Sequence, residues 1–131
     1  MNAPSRRRFD KLLEEVLAAM PPLVHELLDK ITLDVEDYPS DEVMEEMDLE
    51  YRDELCGLYT GIPLGEKHLE SPPQLSDAVT IYREGIVAAT AEEYGRVTKE
   101  GLYKQIRITV LHELAHHHGM TEEELEKLGY G

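Results

Sequence analysis

Residues 98–119, TKEGLYKQIRITVLHELAHHHG, decide how this chain is read. Apolar residues recur there at helical spacing, and Gly119 supplies a residue suited to a left-handed C-cap. Ile106, Thr109 and Val110 are mediocre helix formers, so a helix here needs burial to hold it. Four of the chain's six histidines fall at its end. His112 and His116 stand four apart, so their side chains differ by only roughly 40° around the axis. Both imidazoles can reach one point, as two ligands of a tetrahedral zinc must. Glu113 lies about 100° from His112 on the same side, where it can contact a metal-bound water without ligating the metal. Val110, Leu111, Leu114 and Ala115 surround it with apolar neighbours, and a carboxylate in such company needs a use. The spacing H-E-x-x-H therefore predicts two zinc ligands and a general base.

Two ligands are too few for a zinc centre. Glu122 lies ten residues after His112, beyond the reversal that Gly119 permits, and this fits an extended motif with a third ligand at that place. Glu123 and a residue from elsewhere in the chain remain alternatives, and an acid at 122 or 123 would also favour the positive end of a following helix. His117 and His118 point about 120° and 140° away from the ligand pair. His118 shares a face with Leu111 and Leu114 and reads as a packed histidine, and His117 as an exposed or supporting group. His25 and His68 have no evident partners.

Working outward, Phe9, Leu12, Leu13, Val16, Leu17 and Met20 mark an amphipathic helix over residues 6–20, stopped by Pro21 and Pro22. Pro22 can occupy the first turn of a second short helix carrying Leu23, Val24, Leu27 and Leu28. ITLDVEDYP (31–39) alternates apolar and polar residues as a half-buried strand does. The acidic stretch SDEVMEEMDLEYRDE (40–54) reads as a short helix or loop, and LCGLYTGIPLGE (55–66) as one or two short strands with tight turns. SPPQLSD (71–77) reads as a linker or turn. AVTIYRE (78–84) is a second strand, and the pattern turns helical from about Ala91, with AEEYGRV a short helix. Thr121 and Glu124 fit a capping box that opens a last helix.

The chain has 131 residues and a formal net charge of −15. That length implies one domain, residues 1–131, with a single modest core. The charge argues against nucleic-acid binding and against docking on anionic membranes, and it favours cationic partners. Cys56 is the sole cysteine, so no internal disulfide forms, which fits a reducing compartment. No apolar run approaches a membrane span. Arg6, Arg7 and Arg8 are followed by acids rather than by a signal-peptide core. A cytoplasmic monomer is expected.

HELAHHHGMTEEEL (112–125) resembles the site of the small bacterial zincin-like metallopeptidases, the mini-zincins. CGLYTGIPL (56–64) is similar to their G-L-Y-x-G-x-P-L segment, and LSDAVTIYREGI (75–86) to their P-x-x-I-x-[IL]-Y-R-x-P-[IL] strand. FDKLLEEVLAAMPP (9–22) and ITLDVEDYP also fit. The resemblance implies an α+β fold, a small twisted sheet packed on an N-terminal helix and a long active-site helix. It implies that His112 and His116 are zinc ligands, Glu113 the catalytic glutamate, and Gly119 the turn glycine. Glu122 falls where the family has aspartate, one methylene shorter.

The functional expectation is a zinc-dependent metallopeptidase with one Zn2+ per chain, acting on a peptide or protein, with basic ones favoured by the acidic charge. Glu113 would accept the proton of a zinc-activated water and deliver it to the leaving amine. An extended peptide would pair with a strand edge, with AVTIYRE as the candidate. Tyr59 and Tyr82 are candidates for an oxyanion contact, although a tyrosine in a core usually serves packing. The competing reading is a non-enzymatic acidic interaction module with a structural zinc. The sequence names no substrate.

Overall fold

The computed structural model describes residues 1–61, 77–118 and 122–127. In chain order these form α1 (Ala3–Ala18), α2 (Pro22–Leu28), β1 (Thr32–Glu36), α3 (Asp41–Glu46), β2 (Gly57–Thr60), β3 (Ala78–Tyr82), α4 (Arg83–Tyr94), α5 (Lys99–His118) and α6 (Glu122–Lys127). This is the α+β architecture expected, with a three-stranded sheet among the described residues.

Local chemistry accounts for most element ends. The Asn2 side chain accepts from the Ser5 N–H and starts α1, three residues earlier than apolar spacing alone indicates. Pro22 sits in the first turn of α2, as its fixed φ favours. Ser40 caps α3 through the Val43 N–H. Gly95, at φ 76°, ends α4 in the left-handed region. Thr98 then caps α5, its hydroxyl accepting from the Gly101 N–H at 3.0 Å. Gly119, Thr121, His68, residues 62–66 of the stretch read over 55–66, and all but Asp77 of the turn read over 71–77 lie outside the described residues.

Two expectations are corrected. The helix foreseen from about Ala91 begins at Arg83, directly off the end of β3. Ile86, Val87 and Thr90 are β-branched and poor helix formers, and the N-cap residue Tyr82 makes no side-chain cap, so the sequence carries no start signal there. Nor is AVTIYRE an edge. The sheet order is β1-β3-β2, with β3 pairing β1 in parallel (Thr32 with Ala78, Glu36 with Tyr82) and β2 antiparallel (Gly57 with Ile81, Thr60 with Ala78). Val79 and Ile81 are fully buried on one face, and Tyr82 is buried too. β1 shows the alternation expected of it, Leu33 and Val35 half-buried between exposed Thr32, Asp34 and Glu36.

The long helix α5 is the organising element, in contact with β2, β3, α1 and α4. Its Ile106, Val110, Leu111 and Leu114 join Phe9, Leu12, Leu13 and Val16 of α1 and Val79 and Ile81 of β3 in one core cluster. This burial overrides the poor helix propensity of residues 106–110.

Arg83 locks the corner where strand becomes helix. Its Nε and Nη2 donate to the two Asp10 oxygens, each at 2.9 Å, and its Nη1 donates to Asp37 at 3.0 Å. Arg6 donates to the other Asp37 oxygen. One network thus joins α1, the end of β1 and α4. Bonding by Arg6, and then by Arg83, lowers the Asp37 carboxyl from its ordinary 3.8 to about 2.

Because the folded-state value of Asp37 is depressed, its stabilisation is full above the unfolded value and drains away as pH falls towards 2. Asp37→Asn is expected to cost about 1 kcal/mol at pH 7 after solvent screening. Urea unfolding at pH 7, 4 and 2 checks this. A gap between variant and wild type that fails to narrow on acidification would contradict it.

Candidate metal centre

α5 brings the predicted cluster together near its C-terminal end. The ligand atoms of His112, Glu113 and His116 all lie within 4.8 Å of one another. The imidazole centroids are 4.6 Å apart and tilted by 56°. His116 Nδ1 lies 3.8 Å from a Glu113 oxygen. Both histidines are exposed, whereas Glu113 is only 7% exposed. Two imidazoles therefore open to solvent above a buried carboxylate. Neutral nitrogen donors on one helical turn beside a carboxylate suit a borderline-soft divalent ion such as zinc. Reach from solvent and donor type both fit.

Burial pushes the Glu113 carboxyl up from its ordinary value, while the neighbouring His112 and a backbone hydrogen bond from Tyr59 pull it down. Sequence reasoning missed that last contact. The Tyr82 N–H donates to the Cys56 carbonyl at 2.9 Å, and antiparallel pairing alternates. Gly57 and Tyr59 thus turn their backbone groups away from β3, and the Tyr59 N–H meets Glu113.

Gly57 permits that approach. A Cβ there would stand 2.9 Å from Thr109 Cγ2, 3.1 Å from Glu113 Cγ and 3.2 Å from the Thr80 carbonyl oxygen. Thr109 is held by donating to the Gln105 carbonyl at 2.9 Å, so its methyl group has little freedom to withdraw. The available signal was Gly57 inside a short strand pattern, which marks close approach of another element. Cys56 is half-buried beside Thr109, its thiol 3.5 Å from the Gly85 carbonyl and pushed up by burial.

The remaining candidates divide. Tyr82 is 2% exposed, its phenol pushed up by burial and then by Glu36 and Glu113, which accords with a packed aromatic. Tyr59 is half-buried and packs on the core cluster. Glu122 opens α6, and Glu123 on the same helix is exposed. The side chains of Glu122, His117 and His118 lie outside the described set.

Residues 28–131 match the family model of the zincin-like metallopeptidases. The chain belongs to the zincin-like metallopeptidase family. No curated protein matched it. The family match covers β1, β2, β3 and the whole of α5, so the sheet and the histidine-bearing helix constitute a minimal zincin-like fold. The likeness noted over residues 9–22 falls ahead of the matched region. No helix among the described residues is long and apolar enough to cross a membrane.

Gly57→Ala is expected to destabilise this zincin-like chain by about 1–3 kcal/mol, the usual scale for overpacking a tight contact. Adding Thr109→Ser removes the methyl group nearest the new Cβ and should restore part of the loss. Urea unfolding of wild type and the two variants is the measurement. Equal stability of Gly57→Ala and wild type would refute the close contact.

Proposed function

We propose that this chain is a zinc-dependent peptidase, with His112, His116 and Glu122 as zinc ligands and Glu113 as general base. One observation carries the reading: two exposed imidazoles and a buried carboxylate converge within 4.8 Å on one helix. Bound there, zinc supplies Lewis-acid chemistry, acidifying a water and polarising a carbonyl. Glu113 accepts the water's proton and passes it to the leaving amine. Its burial supports that role by disfavouring the charged form of the carboxyl. The backbone hydrogen bond from Tyr59 holds the carboxylate in place. The openness of both histidines favours this reading over a structural zinc, which four protein ligands would enclose.

A substrate strand adds antiparallel to β2, not to β3. β2 lies at one end of the strand order among the described residues, and the Gly57 backbone groups turn away from β3, while the Tyr59 N–H is already engaged by Glu113. The −15 charge favours basic peptides. A cytoplasmic monomer remains part of the proposal.

Zinc content is expected at about one ion per chain by elemental analysis after mild purification. Glu122→Ala should weaken zinc affinity by more than about tenfold, and Glu123→Ala should leave it nearly unchanged. Competition with a chromogenic chelator measures both. The reverse ranking would transfer the ligand role to Glu123, and failure of wild type to bind added zinc would remove the metal centre.

Glu113→Gln keeps the side-chain volume and removes the proton acceptor. Zinc binding should persist while hydrolysis of any peptide that wild type cleaves drops by on the order of a hundredfold or more. A library of short unstructured peptides, basic ones included, supplies the substrate. Equal cleavage by the zinc-loaded glutamine variant would exclude Glu113 as the base.

A further inference from the structure

A cavity of about 500 Å³ opens between α1, α4 and the start of α5, well away from the histidines. Thirteen residues separate Lys99, which lines it, from His112, or about 20 Å along the helix. Its wall is apolar, built by Phe9, Leu12, Val87, Val97 and Leu102. Val97 remains 47% exposed at its side. The charged groups around it are of the opposite sign to the chain as a whole. Arg8, Lys11 and Lys99 are all exposed there, against the single carboxylate of Glu15. None of the three cations forms an ion pair among the described residues, although the sequence holds 28 Asp and Glu. A shallower groove runs on past Leu12 and Lys99 to Tyr103 and Arg107, where Lys104 is paired with Glu100 at 3.4 Å.

We propose that this cavity binds an anionic amphiphile, a carboxylate head on a medium-length hydrocarbon tail. The tail occupies the space between Phe9, Leu12, Val87 and Leu102, and the head meets Arg8, Lys11 and Lys99. The size of the cavity lies within the range of small-ligand sites, roughly 300–1,000 Å³. A protein partner would need roughly 800 Å² of contact on each side, more than a cavity of this size offers. Charge complementarity selects the head: an acidic chain repels anions everywhere except where its cations stand together unpaired. The site is independent of the zinc reading and survives if that reading fails.

Isothermal titration of the full chain with decanoate, kept below its micelle concentration, tests the proposal. Saturable one-site binding is expected with a dissociation constant on the order of 0.1 mM. Decyltrimethylammonium, with the same tail and the opposite charge, should bind at least about tenfold more weakly. Acetate should give no measurable heat. The triple variant Arg8→Glu, Lys11→Glu, Lys99→Glu should lose at least about tenfold in decanoate affinity while keeping its unfolding midpoint. Should the triple variant fail to fold, Lys99→Glu alone serves, with a loss of about threefold. Equal affinity for the two decyl compounds, an unaffected charge-reversed variant, or no saturation at millimolar decanoate would overturn the proposal. So would an acidic amphipathic peptide that saturates the groove where decanoate does not.

Discussion

The separation between β2 and α5 sets the rest of the structure. With no side chain at Gly57, the strand can lie against Thr109 and Glu113 at distances that a Cβ would forbid. The Tyr59 N–H then reaches the Glu113 carboxylate. That contact satisfies a polar group that the helix has buried among Val110, Leu111, Leu114 and Ala115. Were the strand a little further out, the carboxylate would lose its donor, and the helix would carry an uncompensated buried acid. Helix position, carboxylate orientation and the outward turn of the strand's backbone groups are one constraint seen three ways.

Charge plays a different part at the opposite corner. Arg83 begins a helix that has no side-chain cap, at the point where the central strand ends. Its guanidinium bridges Asp10 and Asp37, which come from α1 and from the end of β1. Bidentate pairing of this kind fixes angle as well as distance. The three elements are therefore held in register by a planar group, and the chain turns from strand to helix without a connecting loop. Glycine assists here as well, since a Cβ on Gly85 would collide with the Leu55 carbonyl oxygen.

The features legible in the sequence were those written over short spans. His112, Glu113 and His116 lie within five residues, so helical geometry alone brings them together. β1 declared itself by alternation, and α2 by Pro22. What escaped was set by distant partners. Arg83 is 73 residues from Asp10 and 46 from Asp37, and no local pattern links them. The place of β3 at the centre of the sheet depends on which strands flank it, and alternation within one strand carries no such information. The early start of α4 was hidden by β-branched residues whose burial beneath α5 outweighs their propensity. The Tyr59 contact with Glu113 joins a strand and a helix fifty-four residues apart, so only the glycine hinted at it.

The packing of α1 bears on where the folding unit begins. The family match starts at residue 28, yet Phe9, Leu12, Leu13 and Val16 are almost wholly buried in the same cluster as Ile106, Val110 and Leu111. Asp10 from that helix also holds the guanidinium at the strand-to-helix corner. Similarity therefore starts later than cooperativity does. A chain trimmed to the matched residues would keep His112, Glu113, His116 and Glu122, but it would open a wide apolar face along α5 to solvent. Such faces drive association between molecules. Loss of function on trimming would then reflect aggregation of the scaffold rather than damage to its chemistry.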